Sequence, residues 1–252
     1  MAYPLSGPGQ GVSAPVAFKE DAIYSQSENP EHPLGMVMRG WDRTWRYCQA
    51  SETLTAGDAV SALPHHFTED TVTVPHAIGT TVVTVTNGSG NTIYANDLAG
   101  GELTVYEGAG AGDSYIIVSN TEAVATTGLL SITLATGLIT AWVIATTDLH
   151  VCGPVWRVQQ GNAAGTEMAL GTTRIDVTDE YFFWLQTFGL APAVWDLSEG
   201  NHIAERQLTL GATTDAQVEP INTVGNTVLG EVATSASDAV AGDFSPIFLN
   251  RG

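Results

Sequence analysis

Basic residues are scarce in this sequence. Its 252 residues include 27 Asp and Glu but only 8 Lys and Arg, and the formal net charge is −19. Because phosphate contacts depend on Lys and Arg, this balance argues against binding to nucleic acid or to an anionic membrane surface. Long apolar runs are missing too: the longest, residues 138–145, has the length of a strand, whereas a membrane-spanning helix needs ~20 residues. We therefore expect a partner that is neither nucleic acid nor membrane.

Cysteine is also rare. Cys48 and Cys152 are the two present, more than 100 positions apart, whereas a disulfide scaffold would be denser. We predict two free, largely buried thiols. The beginning of the sequence is polar and rich in Gly and Pro, without the pattern of a signal peptide. We therefore expect a protein that is made in the cytoplasm and used without secretion.

The motifs that mark many catalytic and cofactor sites are missing as well. There is no nucleophile elbow, HExxH, GxGxxG or Walker A sequence, and GAGAGD (108–113) lacks the Lys-Ser/Thr ending of a phosphate loop. His65, His66 and His76 are the one group that suggests a metal, but they lack the fixed spacing of zinc ligands, and we interpret them as part of a polar loop. The acidic DVTDE (176–180) has no EF-hand spacing. We predict a protein that is not an enzyme and has no catalytic, cofactor or metal site.

The residues that are abundant favour strands. β-branched residues fill the segments between turns, whereas the strong helix formers Lys, Gln and Met are scarce. Turn signals such as NGSG (87–90) and SEGN (198–201) separate short apolar segments at near-regular spacing. The predicted fold class is all-β, with two antiparallel β-sandwich or barrel units and an extended N-terminal arm.

Three regions make up the predicted domain organisation. Residues 1–35 contain five of the eleven prolines, so we predict an extended arm. One interpretation is a frayed terminus; the one we favour, because apolar residues are scattered through the segment, is an arm that docks along its own or a neighbouring subunit. Residues 36–150 are predicted as a Thr-rich β domain and residues 151–252 as a C-terminal β-sandwich or barrel domain. A nested arrangement stays open, in which residues 64–150 are an insertion and the strands before them complete the C-terminal domain.

The tripeptide Ala-Gly-Asp occurs three times, at 56–58, 111–113 and 241–243, each time before an apolar segment. Glycine tolerates positive φ, and aspartate caps a turn through its carboxylate. We therefore predict that each copy is a turn that leads into a strand.

The stretch YFFWLQTFGLAPAVWD (181–196) is the most aromatic part of the chain. In an extended strand Phe182 and Trp184 face one way, while the alternate residues, also apolar, face the other. Both faces must therefore be covered. One interpretation is an ordinary central strand; the hypothesis we favour is that a neighbouring subunit covers the second face. The residues from Phe188 to Pro192 are predicted to turn the chain into a further strand with Trp195.

Three segments combine strand and turn phrases: GGELTVYEGAGAGDSYIIVSNTEA (100–123), GTTRIDVTDEYFFWLQTFGLAPAVWDLSEGN (171–201) and VGNTVLGEVATSASDAVAGDFSPIFLN (224–250). They resemble virion structural proteins of tailed phages, especially those of cyanophages and marine phages. In the second, an aromatic strand ending in Trp-x-Gln-Thr-x-Gly precedes an apolar strand and an acidic turn. The resemblance covers about residues 90–252 and rests on strand and turn phrases.

The resemblance implies a capsid decoration (cement) protein on the outer surface of the phage head. It would be made in the host cytoplasm, and its partners would be the major capsid protein and its own copies. Since sites on a shell are symmetric, a homotrimer is favoured. The family supplies no catalytic residues. The alternatives are a tail or baseplate structural protein, a carbohydrate-binding β-sandwich and a hydrolase on a β scaffold.

The predicted interface residues combine the apolar residues of the arm, the basic cluster that follows it and the aromatic strand. They are expected to contact the capsid or a neighbouring subunit, and they are Tyr3, Phe18, Tyr24, Arg39, Arg43, Arg46, Phe182 and Trp184.

Overall fold

The computed structural model of the chain is built almost entirely from β-strands. It describes residues 16–17, 19–63, 66–69, 72–89, 92–126, 128–144, 146–162, 168–195, 207–211, 215–221, 228–233 and 242–250. Within these ranges it has one 3-10 helix, Glu20–Tyr24, and no α-helix. No helix in the same ranges is long and apolar enough to cross a membrane. The predicted all-β class is confirmed.

The chain folds into two compact units, and one is inserted into the other. Pro64–Val155 belong to what we call the inserted unit, whereas the segments on both sides of it, Pro8–Leu63 and Trp156–Gly252, form the barrel unit. The nested arrangement is the one found, and the grouping of residues 36–63 with the inserted unit is wrong. The reason is strand pairing, because strands that precede the insertion hydrogen-bond to strands that follow it.

Along the chain, the strands of the inserted unit stand between two groups of strands that belong to the barrel unit. Five strands of the barrel unit come first: β1 Val16–Ala17, β2 Gln26–Ser27, β3 Val37–Gly40, β4 Arg43–Ala50 and β5 Ala59–Ala62. The inserted unit has six: β6 His66–Glu69, β7 Val82–Thr86, β8 Glu102–Glu107, β9 Ser114–Asn120, β10 Leu129–Leu134 and β11 Asp148–Cys152. Seven more complete the barrel unit: β12 Arg157–Gln160, β13 Ala169–Thr172, β14 Phe182–Val194, β15 Gln207–Leu210, β16 Val218–Pro220, β17 Gly230–Val232 and β18 Phe244–Asn250.

Five strands of the barrel unit close a ring. Taken around it, β4 pairs with β12, β12 with β5, β5 with β13, β13 with β14, and β14 pairs back with β4. Closure removes the unpaired edges that an open sheet would expose. The ring and its turns enclose one cluster of buried apolar residues: Cys48, Ala50, Leu54, Val60, Val158, Leu170, Val177, Phe183 and Leu185.

Strand β14 connects two sections of one 12-stranded sheet. Its first half pairs with β4 in the barrel, and its second half pairs with β18 from Phe188 to Val194. From β18 the sheet continues through β17 and β15 to β16, over a second core that includes Trp195, Ile247 and Leu249. This strand of 13 residues therefore joins the two halves of the barrel unit.

The turn expected between Phe188 and Pro192 is wrong, because β14 runs through these residues without a break. Gly189 has φ +88, and a Cβ there would lie 2.6 Å from the carbonyl oxygen of Asp42. The glycine therefore permits a close approach of two backbones. Pro192 lies opposite Pro246, and a proline pair is compatible with a ladder position at which neither residue donates a hydrogen bond.

The part of the predicted arm that the structure describes is docked on its own chain. Strand β2 pairs with Phe182 and Phe183 of β14, and β1 pairs in parallel with β3. Ile23 is buried, and the Gln26 side-chain oxygen accepts a hydrogen bond of 2.7 Å from the Thr178 backbone N–H. Of the two docking modes left open, the described residues take the one along their own subunit.

The hypothesis that a neighbouring subunit covers Phe182 and Trp184 is wrong. Both are buried within the single chain. The Tyr47 ring stacks on Phe182 at 5.9 Å and meets Trp184 at 5.1 Å, and His32 lies 5.3 Å from Trp184. The second aromatic face is therefore covered by strand β4 and by the segment before β3.

The inserted unit is a six-stranded antiparallel sheet in the order β6-β11-β8-β9-β10-β7. Seventeen buried apolar residues form its core, and they include Tyr115, Trp142 and Ile117. Its strands alternate between buried and exposed positions, as in Glu102–Glu107. That alternation is typical of strands with one face on a core.

One turn geometry recurs in both units. The predicted role of Ala-Gly-Asp is confirmed, because Gly57, Gly112 and Gly242 all have positive φ, between 88° and 94°, and each precedes a strand. A broader pattern escaped the sequence analysis: a buried residue in an isolated bridge is followed three positions later by a residue with positive φ. The pairs are Leu54 and Gly57, His76 and Gly79, Ile93 and Asn96, Ala123 and Thr126, and Val177 and Glu180.

Asp58, in the first of these turns, should make the stability of the barrel unit depend on pH. Its carboxylate accepts hydrogen bonds from the Thr55 N–H and the Gln160 side chain, but burial raises its pKa. Because the carboxyl ionises less readily in the folded than in the unfolded state, its ionisation lowers the free energy of unfolding. This loss is absent below the unfolded-state pKa of about 3.9 and complete above the raised pKa of the folded state. Asp58→Asn should therefore shift the urea midpoint upward at pH 7 and not at pH 3.5. Asp58→Ala, which loses both hydrogen bonds, should lower the urea midpoint at both pH values. An effect of Asp58→Asn that is the same at both pH values would contradict the destabilising role of the ionised Asp58 carboxylate.

Candidate interaction surface

The outer face of the sheet formed by β14 and β18 is apolar and exposed to solvent. Alternate residues of β18 are exposed, starting at Phe244, while Ser245, Ile247 and Leu249 between them are buried. Along the second half of β14 the same alternation places Ala191 inside. We call the outer face the β14–β18 surface, and it consists of Leu190, Pro192, Val194, Phe244, Pro246 and Phe248.

The register of the two strands makes this surface continuous. Leu190 lies opposite Phe248, Pro192 opposite Pro246 and Val194 opposite Phe244. Phe244 is 61% exposed, and Leu190 and Phe248 are 40% and 39% exposed. Contiguous exposed apolar patches on a soluble chain mark sites of interaction. The surface is therefore the candidate functional site of the barrel unit.

The two phenyl rings of the surface are held in place by contacts behind them. A Cβ at Gly57 would overlap the Phe244 ring, so the glycine leaves the space that this ring occupies. The Phe248 ring packs edge-on against Phe188, with centroids 5.5 Å apart. Rings that are already ordered lose little conformational entropy when a partner binds.

Trp41 lies at the tip of the hairpin between β3 and β4 in an unfavourable backbone conformation. Gly40 pairs with Arg43, so Trp41 and Asp42 form a two-residue turn. Trp41 has φ +53 and is 73% exposed, although a residue with a Cβ is disfavoured at positive φ. Its neighbour Asp42 approaches Gly189 of β14. An exposed tryptophan in a strained turn is a candidate binding residue.

A groove of about 260 Å³ lies at the margin of the β14–β18 surface, and two arginines line it. Its described lining consists of Arg43, Arg174, Leu190, Ala191, Pro192, Phe244, Ser245 and Pro246. Arg174 donates from Nε to the Gln186 side-chain oxygen at 2.8 Å and from Nη2 to the Leu190 carbonyl at 3.4 Å. Burial, and secondly the charge of Arg43, lower the pKa of Arg174. The groove thus combines apolar walls with two neighbouring cations.

One predicted interface residue lines the groove, and a second lies near it. Arg43 lines the groove, and the exposed Tyr24 lies close enough to Arg174 to influence its pKa. Arg39 is exposed on β3. Tyr3 and the side chain of Phe18 fall outside the described residues.

Arg46 makes contacts within its own chain. Its Nη1 donates to the Gly35 carbonyl at 3.2 Å, and its guanidinium lies 5.1 Å from the centre of the Trp156 ring. Such a cation–π contact is stabilised further when the pair is partly desolvated. The three arginines of the basic cluster therefore differ: Arg39 is exposed, Arg43 lines the groove and Arg46 contacts its own chain.

His76 is the member of the histidine group whose side chain the structure describes. His76 is buried, its Nε2 accepts a hydrogen bond of 3.2 Å from the Thr84 N–H, and its ring meets Trp142. It therefore has a structural contact and not a place in a polar loop. His65 and the side chain of His66 lie outside the described residues. In the described part of the chain no group of three His, Cys, Asp or Glu is placed to hold a metal.

The acidic DVTDE segment makes structural contacts. Asp176 accepts a hydrogen bond of 2.9 Å from the Ala56 N–H, and Glu180 pairs with Arg157 at 2.7 Å.

The prediction for the cysteines is correct for Cys48, which is free and buried, but wrong for the burial of Cys152, which is free and exposed. Cys152 follows alternate burial in β11 and occupies an outward position.

The residues of the β14–β18 surface could not be predicted from the sequence, because a strand that is apolar on both faces does not show which face is buried. In FSPIFLN (244–250), Phe, Pro and Ile give no sign of which alternate set faces outward. Trp41 was missed because WD at 41–42 lacks the glycine or asparagine that normally marks a two-residue hairpin turn.

Comparisons of this chain with protein-family models, curated protein sequences and solved structures found no match.

Proposed function

We propose that this protein is a structural protein of a tailed-phage virion that decorates the outside of the head and stabilises the shell. The observation that carries the proposal is the β14–β18 surface, a continuous apolar face held ready for a partner by ordered rings. The resemblance of residues 90–252 to phage virion proteins supplies the class of partner, the major capsid protein.

The chemistry of the chain suits attachment to a shell. Burying the six apolar residues of the surface against a capsid protein would remove them from water, which is the main favourable contribution to such an association. Aromatic anchors such as Trp41 and Phe244 are the residue types that dominate binding energy in protein interfaces. A net charge of −19 disfavours contact with the packaged DNA. A protein that binds only the assembled shell stabilises it by mass action.

We further propose that the protein acts as a homotrimer. Sites on an icosahedral shell are symmetric, so a cyclic oligomer can place several identical surfaces against it at once. Each further attachment is then intramolecular, which raises the overall avidity without new contacts. Weak single contacts of a modest surface are sufficient in that arrangement.

The experiment that tests the proposal is co-sedimentation with phage heads. The purified protein is sized by chromatography with light scattering and then mixed with empty heads and, separately, with tails of the phage that encodes it. We expect a trimer that pellets with heads up to a fixed stoichiometry and stays in the supernatant with tails. A monomer that remains in the supernatant with heads would overturn the proposal, and pelleting with tails alone would favour a tail or baseplate protein.

A further inference from the structure

The positive charge of this chain is concentrated in one unit. Pro64–Val155 contain eight Asp and Glu but no Lys or Arg, so all eight bases belong to the remainder of the sequence. Two of these eight, Arg43 and Arg174, line one groove and lie near enough for the charge of Arg43 to lower the pKa of Arg174. Like charges repel, so their proximity has a cost in the free protein that an anion between them would remove.

The hydrogen bonds of the two guanidinium groups differ. Arg174 is anchored by Gln186 and the Leu190 carbonyl. The Nε of Arg43 is buried and has no hydrogen-bond partner among the described residues. Its contact with Asp42 spans 3.8 Å and involves a largely exposed carboxylate, which is too long for a hydrogen bond. The pair therefore offers one fixed cation and one cation whose donor is unsatisfied.

The lining of the groove narrows the class of ligand. None of its described residues is acidic, and its other walls are mainly Leu190, Pro192, Phe244 and Pro246. A carboxylate between two guanidinium groups forms strong charge-assisted hydrogen bonds. An apolar chain attached to that carboxylate would contact the walls, whereas a polyphosphate would bring further charges toward a strongly acidic protein.

We propose that the groove binds a glutamate or aspartate side chain from an extended segment of the partner protein, whose neighbouring apolar residues lie on the β14–β18 surface. The identity of that partner rests on the proposed function, but the carboxylate chemistry does not. The groove then fixes the register of the segment, and the apolar surface provides most of the contact area. Electrostatic complementarity of this kind contributes chiefly to specificity.

The test uses the full chain labelled with ¹⁵N and the capped peptide Ac-Pro-Leu-Glu-Leu-Pro-NH₂, with a version that has Gln in place of Glu. The Nε–Hε signals of its seven arginines are followed during titration. We expect the Glu peptide to shift the signals of Arg43 and Arg174 and to bind at least tenfold more tightly than the Gln peptide. Arg43→Gln should remove that preference, whereas Lys19→Gln, which removes an exposed charge elsewhere, should retain it.

Three outcomes would overturn the inference: equal affinity for the two peptides, shifts spread evenly over all arginines, or a response of Arg43 and Arg174 only to a single-stranded oligonucleotide. Arg43→Gln removes no hydrogen bond found in the described residues, so we expect this variant to fold. Unchanged backbone signals would verify that it does. The peptide titration does not use phage heads, so the groove inference and the proposed function can fail separately. Head binding without a carboxylate preference rejects the groove inference alone, and a carboxylate preference without head binding rejects the proposed function alone.

Discussion

Replacing Leu190 and Phe248 together by aspartate should weaken binding to phage heads at least a hundredfold. The two side chains lie opposite each other at the centre of the β14–β18 surface, so both new carboxylates would be buried by any partner seated there. Burying charged groups at an apolar interface costs several kcal/mol even where a cation such as Arg174 lies nearby, and a hundredfold loss corresponds to only about 2.7 kcal/mol. The affinity is measured by pelleting with heads at fixed ionic strength.

The fold should tolerate this double change. Both residues are about 40% exposed in the free chain, and two carboxylates facing each other across strands cost on the order of 1 kcal/mol. The matched control is Ile116→Asp with Leu129→Asp, two apolar residues of the inserted unit with exposures of 51% and 60%. It adds the same charge and should leave head binding within about twofold. Equal losses in the two variants would assign the effect to net charge and contradict a role for the surface.

The strand content of this protein follows from local sequence, whereas the arrangement of its units does not. Each Ala-Gly-Asp tripeptide supplies the positive φ and the side-chain acceptor of a turn, and these are properties of the tripeptide itself. By contrast, Arg157 pairs with Gln49 across the whole insertion. Pairing over such a separation depends on the complete fold, so the sequence left the nested and sequential arrangements open.

Strand β14 shows how tertiary pairing overrides a local turn signal. Gly189 and Pro192 within FGLAP indicate a turn when only neighbouring residues are considered. In the structure β4 and β18 supply partners for consecutive halves of the strand, which makes a continuous extended chain the better solution. The face that was predicted to need cover from a neighbouring subunit was placed on the wrong half of this aromatic stretch. Phe182 and Trp184 are covered by their own chain, whereas the half after Gly189 carries the exposed face.

The candidate site was predictable only in part. Arg43 was singled out because arginines cluster in residues 39–46 of a chain that is otherwise poor in bases. Arg174 is isolated in the sequence, and only the fold brings it beside Arg43. A pair of cations assembled from segments more than 100 residues apart leaves no local pattern to detect.

Gly189→Ala should destabilise the barrel unit by on the order of 3–5 kcal/mol. One part, about 1–2 kcal/mol, comes from holding a residue with a Cβ at φ +88. The larger part comes from the 2.6 Å approach of that Cβ to the Asp42 carbonyl oxygen and the 2.9 Å approach to Arg43 Cγ, because relieving such overlap displaces packed backbone. The free energy of unfolding is measured by urea denaturation, with tryptophan fluorescence as the signal.

Gly242→Ala is the matched control for this change. Gly242 belongs to the same unit and has nearly the same φ, +89, but a Cβ there would meet no described atom within 4 Å. It should therefore lose only the conformational part, about 1–2 kcal/mol. The difference between the two variants measures the cost of separating the β3–β4 hairpin from β14. Equal losses would mean that the hairpin can move away freely, and Trp41 and Arg43 would then lack the fixed position beside the β14–β18 surface on which their proposed roles depend.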